Sequence, residues 1–173
     1  PLEETLRASG TIRAIQEVEL TAEVSGIVKD LRIDEGGRAS AGELLVKLND
    51  NDLQAELRGV EYQLEVMEQA AERQKRLVEE GGTTREAYDR TLIQVNELLA
   101  ARENLLARIE RTEVRAPFDG LVGLSAVHMG SYITPSTRIA TLQDVSSVRL
   151  DFAVPERYAS RVVPGSEIRF TVQ

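Results

Sequence analysis

Cysteine is missing from all 173 residues. Its absence excludes disulfides, thiolate chemistry and cysteine-ligated zinc, and leaves the redox compartment open. Tryptophan is missing too, and aromatics amount to 4% of the chain, so no single large aromatic core is expected. No run approaches the ~20 consecutive apolar residues of a membrane-spanning helix. No basic, apolar, small-residue signal opens the chain, which starts at Pro1 and so reads as a processed or trimmed product. Net charge is −8 with no isolated Lys/Arg block, which gives a nucleic-acid partner little electrostatic support. The lone histidine, His128, has no companion at metal-ligand spacing. No G-x-S-x-G, P-loop or dinucleotide fingerprint occurs, and the abundant Asp and Glu read as solvated helix faces rather than a catalytic pair. No catalytic, cofactor-binding or metal site is expected.

What is present falls into three textures. Residues 1–49 read as short strands punctuated by Gly and acidic turns, such as VELTAEVSGIVKDLRI and ELLVKL. Residues 51–111 hold no proline, and their only glycines are Gly59, Gly81 and Gly82. From Thr112 onward strand-like runs return with Pro117, Pro135, Pro155 and Pro164. In the middle stretch Leu53, Leu57, Val60, Leu64, Met67, Ala71, Gln74 and Val78 recur in alternating steps of four and three, the a/d seam of a coiled coil. Asn49, Asp50 or Asn51 caps its start, and Gly81-Gly82 ends it. Thr83 and Glu86 form a T-x-x-E capping box, which leaves the Thr84 hydroxyl freer. A second seam follows through Tyr88, Leu92, Val95, Leu99, Leu106 and Ile109, interrupted by Arg102 and widened by Leu98 and Leu105. Two helices of about 28 residues, or ~42 Å, joined by a two-residue break, predict an antiparallel hairpin.

The segments flanking the helices repeat each other at a constant offset of 94, without a gap. Glu19/Glu113, Ala22/Ala116, Gly26/Gly120, Val28/Val122, Gly36/Gly130, Leu48/Leu142 and Asp50/Asp144 are identical pairs. Leu20/Val114, Ile27/Leu121, Ile33/Val127, Ser40/Thr134 and Leu45/Ile139 are conservative ones. Two halves of strand, Gly turn, strand, Gly turn, strand would face each other as a small flattened barrel. The hairpin is inserted between them, held at its base by Asp50 and Thr112. Such a clamp converts two marginal helices into a stiff arm.

The segments EVSGIVKDLRIDEGGRASAGELLVKLND and VRAPFDGLVGLSAVHMGSYITPSTRIATLQD resemble the biotinyl/lipoyl-like domain of periplasmic adaptors. These are the HlyD/AcrA/MexA-like membrane fusion proteins of tripartite RND-type efflux systems. The resemblance covers essentially the whole chain. It implies an α+β fold, mainly β, with an inserted antiparallel α-helical coiled-coil hairpin, a split biotinyl/lipoyl-like domain and a partial β-barrel domain. Residues 18–50 and 112–145 would form the lipoyl-like halves, 51–111 the hairpin, and 1–17 with 146–173 the partial barrel. VPERYASRV would be a short helical excursion of that barrel.

The family's tip pattern, R-x3-L-x6-S, is matched by Arg73, Leu77 and Thr84, with Thr in place of Ser. The resemblance implies that these residues dock a TolC-like outer-membrane channel. Heptad counting independently puts Leu77 at g and Arg73 at c, one lateral face. There Leu77 either flanks the seam or meets a partner, and Thr84 either caps a helix or docks. The resemblance further implies a non-enzymatic periplasmic protein, anchored to the inner membrane by a lipid or single helix outside this chain. Its partners would be an inner-membrane transporter, RND type favoured, and further copies of itself in a ring, a hexamer. An adaptor of an ABC-type exporter or secretion system is the alternative. A lipoyl or biotinyl carrier is disfavoured: its acceptor Lys belongs at the junction of the halves, where the helices sit, whereas Lys29 and Lys47 lie inside the first half.

Overall fold

A computed structural model describes residues 8–156, 165 and 167–171. Residues 1–7 and most of VPERYASRV lie outside that set. The described elements are β1 (Gly10–Thr21), β2 (Gly26–Leu31), β3 (Arg38–Ala39), β4 (Leu44–Leu48), α1 (Asn51–Glu79), α2 (Arg85–Glu110), β5 (Glu113–Arg115), β6 (Gly120–Val122), β7 (Tyr132–Ile133) and β8 (Arg138–Phe152).

The strands form two four-stranded antiparallel sheets, in the orders β1-β8-β6-β3 and β5-β4-β2-β7. Moving 94 positions along the chain carries β2 onto β6, β3 onto β7, and β4 onto the start of β8. The end of β1 falls on β5, so one sheet order maps onto the other. Main-chain hydrogen bonds obey the same relation. The Gly36 N–H donates to the Val122 carbonyl at 2.9 Å, and the Gly130 N–H to Val28 at 2.8 Å. Val28 N–H donates to Ser131 at 2.9 Å, and Val122 N–H to Gly37 at 2.9 Å. Gly36 and Gly130 have φ of 76° and 83°, a region that costs residues with a Cβ about 1–2 kcal/mol. Each sheet draws strands from both halves, so the repeat folds as an interlocked pair instead of two facing units. Neither half can be completed before the other is made.

Burial repeats as well. Ala22/Ala116, Val28/Val122, Ala39/Ile133, Leu45/Ile139 and Leu48/Leu142 are all core residues of one cluster. Each large one contributes about 1.5–3 kcal/mol by leaving water.

The helices have 29 and 26 residues and lie back along each other. Leu57 packs with Leu105 and Ile109, while Leu64 and Ala71 gather with Val95, Met67, Tyr88 and Leu92. The link is five residues, Glu80–Thr84, rather than two. Every α1 seam residue expected from the period is buried or half-buried. In α2 the seam departs from expectation near the base, where Leu105 is buried at 3% exposure and Leu106 exposed at 38%. Arg102 interrupts the seam at this level. Its Nε lies 3.3 Å from Glu61 Oε1, and the apolar line runs through Leu98 and Leu99 to Leu105.

Beyond the sandwich, β1 and β8 continue as a two-stranded ribbon, with Ile12 opposite Leu150 and Ala14 opposite Val148. Arg13, Arg149 and Asp151 occupy its other face, with Arg13–Asp151 at 3.5 Å and Arg149–Asp151 at 3.1 Å.

Candidate functional site

The far end of the helical arm closes on two glycines. The Gly82 N–H donates to the Leu77 carbonyl at 2.7 Å and the Gly81 N–H to Val78 at 3.1 Å, with Gly81 at φ 72°. This is a Schellman closure, which needs a left-handed residue just past the helix. The turn consumes Gly81, Gly82 and Thr83. The next helix therefore starts one residue later than expected. Thr84, not Thr83, is the N-cap, extended at φ −92° and ψ 151°, and its Oγ1 accepts the Ala87 N–H at 3.3 Å. Glu86 does not complete a capping box. It pairs with Arg90 one turn on and places a negative charge in the first turn, where the helix dipole favours it.

The three residues of the tip pattern share this end of the arm. Leu77 is 42% exposed, although its own carbonyl holds the turn together. Arg73, one turn back, is exposed and forms no ion pair among the described residues. Thr84 is exposed too, and its hydroxyl has no acceptor among the described residues while its oxygen caps. The expectation that Thr83 caps the helix and leaves Thr84 freer is thus corrected: of the two roles open to Thr84, capping is the one the structure shows.

The root of the arm holds Asp50 and Thr112 where the repeat places them, together with an ion-pair network that spacing does not show. Asp50 and Thr112 are the buried polar residues of the described set, at 4% and 5% exposure. They stand where the chain leaves and re-enters the sheets. The Leu48 N–H donates to the Thr112 carbonyl at 2.8 Å, and Asn49 N–H to Ile27 at 2.9 Å. Lys47 Nζ lies 2.9 Å from Asp50 Oδ2 and 2.8 Å from Glu113 Oε1. Asp50 also accepts from Gln54 Nε2 at 2.9 Å, and Glu113 from Arg115 at 2.6 Å. A single cation thus bridges the start of α1 to the strand that follows α2.

The protonation of these groups follows. Burial disfavours the charged form of Lys47, but its hydrogen bonds to Glu113 and Asp50 and their charges outweigh that and raise its pKa. Burial likewise pushes Asp50 up, while Gln54 and Lys47 together bring it below the ordinary value. The Lys47 hydrogen bond holds Glu113 low against a smaller burial effect, with Arg115 assisting. Lys29 is also a root contact, donating to Asn51 Oδ1 at 2.8 Å. The pairing of β4 with β5 sets Lys47 opposite Glu113 across the whole helical insertion, a neighbour relation that the sequence spacing does not carry.

No helix among the described residues is long and apolar enough to cross a membrane. His128 lies exposed in a loop.

Residues 16–143 match the family model of the RND membrane fusion protein barrel-sandwich hybrid domain. A protein of Haemophilus influenzae is 28% identical over 166 residues, covering 96% of this chain and 44% of that protein. The multidrug resistance protein MdtA of Proteus mirabilis is 27% identical over 175 residues, 91% of this chain and 42% of MdtA. This chain therefore spans less than half the length of these two relatives. A crystal structure of a MacA-MexA chimeric protein, containing the Pseudomonas aeruginosa MexA alpha-hairpin domain, superposes with a TM-score of 0.79. It is 24% identical and covers 90% of this chain and 57% of that one, a likeness of fold. The interlocked sheets, the helical pair between their halves and the family match over 16–143 agree: the chain belongs to the RND membrane fusion protein family, the periplasmic adaptors of efflux pumps.

Proposed function

We propose that this chain is the channel-reaching part of a periplasmic adaptor in a tripartite efflux pump. Its helical hairpin reaches toward a TolC-like outer-membrane channel, and the rest of the protein engages an inner-membrane transporter of RND type. The observation that carries this reading is the tip. Leu77 is 42% exposed one helical turn from Arg73, which is exposed and forms no ion pair among the described residues, at the end of an arm whose α1 seam is buried or half-buried. An exposed apolar side chain one turn from an exposed guanidinium suits a partner surface.

The sandwich of residues 18–50 and 112–145 acts as a lipoyl-like hub without carrier chemistry. Lys29 and Lys47 are spent on root contacts. The ribbon of β1 and β8 belongs to a partial β-barrel domain over 1–17 and 146–173. A lone two-stranded ribbon is marginal in water, so further strands would cover its Ile12, Val148 and Leu150 face. The assembly stands in the periplasm, anchored at the inner membrane. Several copies, six in this proposal, form a ring, so that weak docking by each tip adds up through effective concentration.

The reading is tested with Leu77→Asp and Arg73→Asp in the intact protein. Both variants should fold normally, yet lose export and co-purification with the channel. Export and co-purification that survive both substitutions would remove the docking assignment.

A further inference from the structure

The two helices of the arm are not held together evenly along their length. From root to middle they share apolar clusters, Leu57 with Leu105 and Ile109, then Leu64 and Ala71 with Val95. Two ion pairs, Glu56–Arg108 at 3.7 Å and Glu61–Arg102 at 3.3 Å, also cross between the helices in the half nearer the root. Toward the tip these ties run out. The apolar cluster stops at Ala71 on α1 and Tyr88 on α2. Beyond Glu61–Arg102, no side-chain hydrogen bond or ion pair among the described residues joins α1 to α2. The α1 seam continues through Gln74 and Val78 alone, both half-buried. Gln74 Oε1 is the one buried side-chain polar atom without a hydrogen-bond partner among the described residues. A buried acceptor that lacks a donor destabilises the arrangement that buries it. The seam is therefore weakest where the arm is farthest from its clamp.

We propose that the end of the arm, residues 74–87, opens as a unit of its own, and that the outer-membrane channel captures the open form, with the Gln74 amide joining Arg73 and Leu77 in the contact. The inference rests on the docking reading and adds to it a moving part and a further recognition residue. The Gln74 carbonyl gains a donor only by leaving the seam, so any state that frees it is favoured relative to the closed one. Little else resists. Val78 is the only apolar α1 seam residue beyond Gln74, and the closure of Gly81 and Gly82 on Val78 and Leu77 is local to the link. Opening at low free energy is expected where apolar contacts are few. Gln74 follows Arg73 directly and stands three positions before Leu77, a surface neighbour on the helix. Turned out of the seam, its side chain borders the Arg73–Leu77 face and offers both a donor and an acceptor to main-chain groups of a partner. A partner that binds only the open form has its apparent affinity scaled by the open fraction, so Gln74 sets how readily the tip docks.

Hydrogen–deuterium exchange of the intact protein, read beside co-purification with the channel from its own cells, tests this. Gln74→Leu puts an apolar side chain in the seam in place of the orphan amide. Exchange over residues 75–87 should slow about tenfold, while exchange over residues 57–67 stays as in the parent. The amount of channel captured should fall about tenfold, because the open fraction has fallen. Gln74→Met, a second apolar variant, should do the same. Gln74→Asn keeps a carbonyl at the seam and should retain parent-like exchange and capture. Exchange over 75–87 that both apolar variants leave unchanged or quicken overturns the proposal, since the amide is then already satisfied in the closed arm. So does slowed exchange with capture undiminished. Leu77→Asp separates the two readings: it should abolish capture without slowing exchange. Capture lost with Leu77→Asp but kept with Gln74→Leu sinks the opening alone, whereas capture kept with both removes the docking reading and this one together.

Discussion

Replacing Lys47 with Met removes the one cation shared by the two ends of the helical arm. Lys47, Asp50 and Glu113 have side-chain exposures of 16%, 4% and 20%, so the loss is felt in a mostly dry setting. Deleting one partner of a buried ion pair costs about 3–5 kcal/mol, because the other charge is left stranded. Two contacts soften that here. Glu113 keeps Arg115 at 2.6 Å, and Asp50 keeps Gln54 at 2.9 Å. Met also preserves most of the packing of the lysine stem. The expected loss is about 2–3 kcal/mol at neutral pH, or a fall in Tm of about 4–12 °C for a chain of this size. Thermal melts followed by circular dichroism would measure it. Adding Asp50→Asn to Lys47→Met should recover more than half of the loss, since the stranded charge is then gone.

The pH dependence carries a second sign. In the parent, Asp50 and Glu113 are held low, so their contribution is present above roughly pH 4 and fades as pH falls through their folded values. Lys47 is held high, so its contribution is complete below about pH 10 and is lost as pH rises further. Without Lys47, burial lifts Asp50 instead, and the gap between parent and variant should narrow on acidification through pH ~4. A loss below about 0.5 kcal/mol at pH 7, or a gap that stays constant down to pH 3, would refute the role assigned to the cluster.

Thr84→Ala should cost about 1 kcal/mol through the lost cap, visible as faster amide exchange in the first turn of α2, whereas Thr84→Ser should retain both cap and channel binding. Gly36→Ala and Gly130→Ala should destabilise by similar amounts, about 1–2 kcal/mol each in urea titrations, because the two glycines hold equivalent positive-φ turns; a large inequality would argue against the equivalence. Leu142→Ala, at 0% exposure, should cost about 2–5 kcal/mol, while Tyr62→Ala should leave the melting temperature of the unassembled protein nearly unchanged.

Much of the fold was legible because two periodicities were strong. The offset of 94 named the equivalent strands before any pairing was known, and every α1 seam position proved inward-facing. What periodicity does not encode is which strand pairs with which. β3 and β7 are two residues long, and each pairs with the opposite half. Such short strands owe their place to long-range pairing rather than to propensity. The shift from Leu106 to Leu105 falls where a polar residue, Arg102, interrupts the seam and pairs with Glu61. At the tip, heptad position put Arg73 and Leu77 off the seam, and both are exposed, but the cap moved from Thr83 to Thr84 because a Schellman turn uses three residues before the next helix begins. At the root, Asp50 and Thr112 were placed by the repeat and are buried there, but the link from Lys47 to Glu113 was not legible, because the two lie 66 residues apart and only the β4–β5 pairing makes them neighbours.

A photo-crosslinking residue placed at position 77 of the intact protein, in living cells, tests the central claim most directly. The account predicts an adduct with an outer-membrane channel, and none from the same residue placed at Ile33 in the sandwich. Capture of the inner-membrane transporter at position 77, or no adduct there while export proceeds normally, would contradict it.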